Sequence, residues 1–184
     1  IVLKRSWGGE VKNVSVLAAI GVDQDGYRRI LGVSEGHKED KAGWLGFIKD
    51  LKQRGLQGVR LIISDACLGL RESVSEVFPE ADWQRCAVHF YRNVFSHVPS
   101  KKVREVAAML KAIHAQESRE SASKKAADVI DKLKVMKLRK AAELVEDCIE
   151  ETLTYYQYPS QHWLKLKTNN PMERLMKEAR RRTK

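Results

Sequence analysis

The sequence predicts an α/β fold, with a mixed sheet flanked by helices and interrupted by an all-α insertion. Three patterns predict it: a strand hairpin near the amino end, a strand–helix–strand succession up to about residue 86, and purely helical periodicity between residues 101 and 158. Strand, helix and strand in this order favour a parallel or mixed sheet with helical cover. The 184 residues, 43% of them apolar, suffice for one substantial core.

The amino-terminal part predicts an antiparallel hairpin. Residues 11–22 and 27–33 are rich in apolar and β-branched side chains, and Asp-Gln-Asp-Gly at 23–26 supplies the turn between them. Residues 1–4 have the composition of a preceding strand. We therefore expect a hairpin that is preceded by the end of another strand.

Residues 40–54 predict an amphipathic helix that ends at Gly55. Its apolar side chains recur at spacings of three, four and seven residues: Trp44, Phe47, Ile48 and Leu51. Short strands are predicted at 59–64 and 82–86, and helices at 68–78 and 89–97.

Residues 101–160 predict an all-α insertion, because apolar residues recur at helical spacing and no strand pattern interrupts them. The last helix of the insertion carries the clearest apolar stripe: Val145, Cys148, Ile149, Thr152, Leu153 and Tyr156. Since no polar residues converge on the stripes, we expect them to form a common core rather than a cofactor pocket.

The composition indicates a polyanion-binding protein. The chain has 34 Lys and Arg against 24 Asp and Glu, a net charge of +10, and its pI is about 9.6. This excess favours phosphate contacts, with nucleic acid as the leading partner class. No apolar run approaches the roughly 18 residues that would span a membrane, and three cysteines without a CxxC pair fit a reducing compartment. We expect a cytoplasmic protein.

The segment 168–174, Thr-Asn-Asn-Pro-Met-Glu-Arg, predicts a helix start. Asn170 can cap the helix and Pro171 suits its first position, which places Glu173 in the first turn. The alternative is a capping box, in which Glu173 only bonds the Asn170 N–H. The basic side chains that follow are candidate DNA contacts: Arg174, Lys177, Arg180, Arg181 and Arg182.

Asp65 follows the apolar strand 59–64 and so lies at the carboxyl end of a strand, where ligand and metal sites of α/β folds concentrate. An equally good alternative is that Asp65 caps the helix that begins near Leu68. Asp65 and Glu173 together are a more specific signal. Their oxygens suit Mg²⁺ or Mn²⁺, two of which stabilise the attacking and leaving oxygens of phosphoryl transfer.

Cys86 and His89 form a C-x-x-H pair at a strand-to-helix transition. They could supply two zinc ligands, but a structural zinc site normally has four, and no second pair is evident. His97, His114 and His162 are isolated in sequence. We expect Cys86 and His89 to pack or to hydrogen-bond, and a catalytic Cys–His nucleophile is less favoured because no orienting third partner is marked.

Three ordered motifs resemble the Mutator-type transposases of bacterial insertion sequences, and the resemblance covers essentially the whole chain. The first motif is Ile-Ile-Ser-Asp-Ala-Cys-Leu-Gly-Leu at 62–70. The second is Trp-Gln-Arg-Cys-Ala-Val-His-Phe-Tyr-Arg-Asn-Val at 83–94. The third is the segment 168–174 with Arg-Arg-Arg-Thr at 180–183.

The resemblance implies an RNase H-like catalytic core at 1–100 with an incomplete first strand, the helical insertion at 101–160, and a final catalytic-core helix with a basic end at 161–184. It implies a DDE triad that binds two Mg²⁺ or Mn²⁺ ions. Asp65 matches the second catalytic acid and Glu173 the third. Cys86 and His89 match the family's C-x-x-H motif.

The implied activity is hydrolysis of a phosphodiester at the element's end, followed by attack of the freed 3′-OH on target DNA. Double-stranded DNA, at the element ends and the target, and further copies of the chain in a synaptic complex are the implied partners, at the bacterial nucleoid. The first triad acid should precede residue 1, since Asp23 and Asp25 lie in the hairpin turn. We therefore expect this polypeptide alone to lack normal transposition activity, whether it is an excerpt of an intact enzyme or the product of a decayed element.

Two alternatives remain at this point. The chain could be a catalytically dead remnant that acts only as a DNA-binding module, or an RNase H-like nuclease that acts on RNA, since that core hosts many functions. Metal separates the first alternative from the transposase hypothesis, because a DNA-binding module requires no metal-binding carboxylates.

Overall fold

The computed structural model describes residues 2–7, 10–36 and 40–182 and divides into two compact units. The first unit comprises Ile1–Ile62, Cys67–Ala81 and Asn170–Lys184, and the second comprises Ile63–Ala66 and Asp82–Asn169. Small sheets and many helices make the fold mixed α/β, as predicted. The RNase H-like arrangement and the domain boundaries at 100 and 160 stay predictions.

Three antiparallel strands open the first unit: β1 (Val2–Trp7), β2 (Glu10–Val22) and β3 (Arg28–Gly36). The Asp23 carboxylate closes the predicted turn by accepting the Tyr27 N–H at 2.8 Å and the Arg29 Nε–H at 2.6 Å. Gly26 adopts φ +83°, a left-handed conformation that glycine favours. The hairpin prediction is confirmed.

Helix α1 (Lys41–Gln53) begins after Asp40, whose carboxylate accepts the Gly43 N–H at 2.9 Å, and it ends before Gly55, at φ +98°. Its buried Phe47 and Leu51 pack with Leu17 of β2 in one apolar cluster. The apolar spacing and the glycine at its end therefore predicted this helix within one residue at each end.

A four-residue strand, β4 (Leu61–Ser64), leads towards α2 (Leu68–Val77). The structure starts β4 two residues later than the prediction of 59–64. Helices α1 and α2 pack through a second apolar cluster that includes Ile48, Leu70, Val74 and Val77.

The strand β5 (Asp82–Arg85) pairs with β4 in a two-stranded sheet, separate from the three-stranded sheet of β1, β2 and β3. The described strands thus form two small sheets, whereas the sequence predicted one mixed sheet. Strand periodicity indicates which faces are buried, but it does not indicate which strands exchange hydrogen bonds.

The second unit continues with five helices: α3 (Ala87–Phe95), α4 (Val103–Ile113), α5 (Arg119–Val135), α6 (Arg139–Cys148) and the short α7 (Trp163–Leu166). The apolar stripes of α3 to α6 meet in one core that includes Phe90, Val106, Leu110, Leu133 and Val145. The expectation that these stripes pack on one another is confirmed.

The last helix of the insertion is shorter than predicted. Helix α6 ends at Cys148, and two 3₁₀ turns, Glu150–Thr152 and Thr154–Gln157, follow where the helical stripe was expected to continue to Tyr156. The Gln84 side chain of β5 donates to the Thr152 carbonyl and accepts the Tyr155 N–H. These tertiary hydrogen bonds replace those of a continuous α-helix.

Helix α8 (Asn170–Arg182) belongs to the first unit, begins where the sequence predicted and holds Glu173 in its first turn. None of its described residues is fully buried. No helix in the described part of the chain has the length and apolarity that crossing a membrane requires.

Candidate functional site

Asp65 follows β4 on a backbone that β5 holds in place. The Cys86 N–H donates to the Ser64 carbonyl at 2.7 Å, and the Trp83 indole N–H donates to the Ser64 hydroxyl at 2.9 Å. The same hydroxyl donates to the Asp65 carbonyl at 2.8 Å. Ser64 is buried and Asp65 is exposed, so a fixed backbone presents an accessible carboxylate.

That carboxylate is not used to cap a helix. The N-cap residue of α2 is Cys67, and no side chain makes a cap hydrogen bond there. The alternative role of Asp65 as the cap of this helix is therefore wrong. Among the described residues, none forms an ion pair or a side-chain hydrogen bond with the Asp65 carboxylate, which leaves both of its oxygens available as ligands.

Cys86 is fully buried at the start of α3 and contacts two other segments of its unit. Its N–H bonds Ser64, the residue before Asp65, and its Sγ accepts the Asn169 N–H at 3.3 Å. The neighbouring Ala87 N–H donates to the Lys167 carbonyl at 2.9 Å. The start of α3 thus fixes the end of β4 and residues 167 and 169.

His89 hydrogen-bonds to Cys86 within the C-x-x-H motif. Burial raises the pKa of the Cys86 thiol, but the hydrogen bond from the His89 side chain and those from the His89 and Asn169 N–H groups outweigh burial and hold this pKa below its usual value. The described residues contain no group of three His, Cys, Asp or Glu that could hold a metal ion. The interaction agrees with the expectation that Cys86 and His89 hydrogen-bond, and their role in the family motif stays a prediction.

Residues of β5 bind the 3₁₀ segment after α6. The Gln84 amide is fully buried, donates to the Arg85 and Thr152 carbonyls at 2.7 and 2.8 Å, and accepts the Tyr155 N–H at 2.9 Å. Arg85, only 4% exposed, forms a 3.1 Å ion pair with Glu151. The strand that holds Ser64 is thereby tied to the end of the insertion.

His114 is buried in the insertion, although its sequence context gave no sign of this. Its Nε2 lies 2.8 Å from the Thr152 hydroxyl and its Nδ1 lies 2.8 Å from the Tyr91 hydroxyl. The Thr152 hydroxyl donates its one proton to the Ile149 carbonyl at 2.6 Å, so it must accept from His114. His114 therefore carries its proton on Nε2, and its Nδ1 accepts from the Tyr91 hydroxyl. Burial lowers the pKa of His114 to about 4.

Helix α8 gathers Glu173 and basic side chains on one surface. An open depression along the helix is lined by Glu173, Arg174, Lys177, Glu178, Arg180 and Arg181. Glu178 accepts from Arg181 at 2.7 and 3.0 Å and from Arg182 at 2.8 Å. Arg174, Lys177 and Arg180 are exposed and form no ion pair with a described residue. The capping-box alternative for Glu173 stays a prediction.

The sequence profile described as "Transposase, Mutator family" matches residues 1–184, the whole chain. The chain belongs to this family. The resemblance drawn from the three motifs is thereby confirmed. Asp65, Cys86, His89 and Glu173 all fall within the matched region.

Several transposases of insertion elements are similar to this Mutator-family chain. The transposase of element ISRM5 from Rhizobium meliloti is 41% identical over 175 residues, 95% of this chain and 44% of that protein. The transposase of IS1081 from Mycobacterium tuberculosis is 40% identical over 183 residues, which cover 100% of this chain and 44% of that protein. The transposase of IS256 in transposon Tn4001 from Staphylococcus aureus is 39% identical over 170 residues, which cover 90% of this chain and 43% of that protein. The chain spans less than half the length of each relative.

In this Mutator-family chain, the two predicted acids lie in different compact units, Glu173 in the first and Asp65 in the second. Their joint action in one site stays a prediction. Sequence reasoning missed the residues that hold the Asp65 backbone, Ser64 and Trp83, although both lie inside the quoted motifs.

Proposed function

We propose that this chain is part of the catalytic core of a DDE transposase that cleaves DNA at the ends of an insertion element and joins it to target DNA. The supporting observation is the placement of Cys86. It hydrogen-bonds the residue before Asp65 and the residue before α8, which carries Glu173. One buried residue thus fixes both chain segments that lead to the predicted acids.

Asp65 and Glu173 would hold the divalent ions of the site. The donor chemistry fits, because Asp65 offers an exposed carboxylate that no described residue uses, and hard carboxylate oxygens suit Mg²⁺ and Mn²⁺. When bound, such ions activate the attacking water or hydroxyl and stabilise the leaving oxygen. Ser64 and Cys86 act as positioning residues, because they contact the backbone beside the acids rather than the ions.

The basic residues of α8 would hold the DNA backbone beside Glu173. Arg174, Lys177 and Arg180 are exposed and unpaired among the described residues, so they can neutralise phosphates without first breaking an ion pair. Such contacts position DNA but do not read its sequence. The proposed substrate is double-stranded DNA at element ends and target, and further copies of the chain would complete the synaptic complex at the nucleoid.

Manganese binding tests this proposal directly. We expect Asp65→Asn and Glu173→Gln each to weaken Mn²⁺ binding at least about tenfold in a titration followed by electron paramagnetic resonance, because loss of a ligand costs at least as much as loss of its supporting partner. Asp25→Asn is the matched control, since it removes an exposed carboxylate from the hairpin turn. Equal Mn²⁺ affinities for all variants would overturn the assignment of the two acids.

A DNA-binding module without catalysis is the second candidate, and the exposed basic residues of α8 favour it. It predicts that Lys177→Gln and Arg180→Gln reduce DNA affinity and its salt dependence, while Asp65→Asn and Glu173→Gln leave Mn²⁺ binding unchanged. An RNase H-like nuclease would instead bind an RNA–DNA hybrid more tightly than duplex DNA.

A further inference from the structure

A second basic surface lies on the helical insertion, and we call it the α4–α6 basic surface. Its members come from the start of α4 and from the turn between α5 and α6: Lys101, Lys102, Arg104, Lys132, Lys134, Lys137, Arg139 and Lys140. Residues 132–142 carry no acidic side chain. This surface is in the second unit, whereas the basic helix α8 is in the first.

Tertiary contacts bring these two segments together. The Lys102 Nζ donates to the Met136 carbonyl at 3.2 Å, across 34 positions of sequence. The turn itself is a Schellman motif, in which the Leu138 N–H donates to the Leu133 carbonyl at 2.9 Å and Lys137 adopts φ +62°. The surface is therefore built on an ordered turn between packed helices.

Most of this charge is not neutralised by the protein. Lys134 pairs with Glu146 at 3.3 Å, and both side chains are about half exposed. Among the described residues, none forms an ion pair with the other exposed members: Lys101, Arg104, Lys132, Lys137, Arg139 and Lys140. These cations remain available to an external anion.

Helix stability does not explain why basic residues lie on both sides of the turn between α5 and α6. Lys132 and Lys134 lie in the last turn of α5, where cations stabilise the helix dipole. Arg139 and Lys140 instead begin α6, whose first turn holds no acid and whose N-cap, Leu138, makes no side-chain cap bond. Cations at the positive end of a helix dipole are unfavourable. Arg139 and Lys140 therefore destabilise the start of α6, and no ion pair with a described residue offsets this cost.

We infer that the α4–α6 basic surface binds the phosphate backbone of duplex DNA, as a contact separate from the basic residues of α8. This inference rests on the proposed DNA-processing function, because charge alone identifies only a polyanion. The first N–H groups of α6 have no side-chain cap and can donate to a phosphate. Six cations that form no ion pair with a described residue can neutralise several consecutive phosphates.

The test compares two charge-matched triple variants of the whole chain by fluorescence anisotropy with duplex DNA over a range of salt concentrations. Lys137→Gln, Arg139→Gln and Lys140→Gln remove three cations from the surface. Lys111→Gln, Arg119→Gln and Lys124→Gln remove two lysines and one arginine from the opposite ends of α4 and α5. We expect the first variant to reduce the slope of log K against log salt by about two to three, and the control to leave it nearly unchanged.

A single substitution keeps the test independent of folding. Lys137→Gly removes one charge and suits the left-handed conformation at φ +62°, so we expect unchanged or higher thermal stability and a slope reduced by about one. Equal losses in both triple variants would overturn the inference and leave the proposed function standing. No DNA binding by the unaltered chain would overturn both. Loss of binding to phosphatidylglycerol vesicles, with DNA binding unchanged, would show that the surface serves a membrane and would also overturn the inference.

Discussion

The Trp83 indole N–H donates a 2.9 Å hydrogen bond to the Ser64 hydroxyl, which in turn donates to the Asp65 carbonyl. A side chain of β5 thereby holds the peptide group next to a proposed metal ligand. The hydroxyl has a single proton, which it donates to the Asp65 carbonyl, so towards Trp83 it can act only as an acceptor. The two bonds together restrain the Asp65 peptide group at the point where the chain leaves β4.

Trp83→Phe removes this donor while it keeps most of the ring. We expect the free energy of unfolding to fall by about 1 kcal/mol, the usual net value of one hydrogen bond. We also expect weaker Mn²⁺ binding, because the peptide that carries Asp65 loses a support. Urea denaturation and the Mn²⁺ titration measure the two effects.

Trp163→Phe is the matched control, since the Trp163 indole N–H donates to the Tyr158 carbonyl at 2.6 Å in the same unit. It should reduce stability by a similar amount and leave Mn²⁺ affinity unchanged. If both variants lost the same Mn²⁺ affinity, Trp83 would have no special role at Asp65.

Glu178→Gln should increase DNA affinity. Glu178 holds Arg181 and Arg182 by hydrogen bonds of 2.7 to 3.0 Å, and these bonds lower the pKa of its carboxyl group. The ion pairs are exposed, so their loss costs little stability. Release of both arginines should raise the salt slope of DNA binding by about one to two. Glu80→Gln makes the same change of net charge on an exposed residue outside α8, and an equal gain in that variant would contradict the prediction.

His114 should make the insertion sensitive to acid. Its folded pKa of about 4 lies below the ordinary value of 6.5, so the unfolded chain binds the proton more tightly between these values. The contribution of His114 to the free energy of unfolding is therefore complete above pH 6.5 and is lost as the pH falls towards 4. At 1.36 kcal/mol per pKa unit, this contribution amounts to about 3 kcal/mol.

Urea denaturation at pH 7 and at pH 4.5 measures this effect. His114→Gln should be less stable at pH 7, because it disturbs the bonds to Tyr91 and Thr152, but it should lose less stability on acidification. His97→Gln changes an exposed histidine and should retain the full pH dependence. An unchanged dependence in His114→Gln would disprove the assignment.

Gly69→Ala should destabilise the first unit. A Cβ at Gly69 would lie 2.7 Å from the Lys41 nitrogen and 3.0 Å from the Lys41 Cα, backbone atoms that cannot turn aside. We expect a loss of about 1–3 kcal/mol as α1 and α2 move apart. Gly46→Ala, inside α1 with no atom within 4 Å of its Cβ, should instead gain up to about 1 kcal/mol through helix propensity. Thermal unfolding of the two variants gives the comparison, and a stable Gly69→Ala would show that the helices do not approach so closely.

Local signals predicted much of the fold. Asp40 and Gly55 bound α1, and the turn at 23–26 sets the hairpin, because capping and turn chemistry act within a few residues of the chain. Asn170 and Pro171 marked the start of α8 in the same way. Local position also singled out Asp65 and Glu173 as candidate metal ligands and Cys86 and His89 as a C-x-x-H pair, whereas their roles in a catalytic triad and a family motif came only from the resemblance.

Contacts between distant residues were not predictable from these signals. Gln84 lies 68 positions from Thr152, yet its amide hydrogen-bonds the segment in which the predicted helical stripe is replaced by 3₁₀ turns. His114 has an ordinary sequence context and is buried only because Tyr91 and Thr152 supply its partners. Neither helical spacing nor composition contains information about partners so far apart.

The hydrogen bonds of Gln84 also make the strand β5 depend on a segment far along the chain. Its amide reaches the neighbouring Arg85 carbonyl by itself, but its bonds to Thr152 and Tyr155 require the segment that follows α6. A buried amide that lost those two partners would cost about 1–3 kcal/mol. We therefore expect the strand beside Asp65 and the helical insertion to unfold as one cooperative unit.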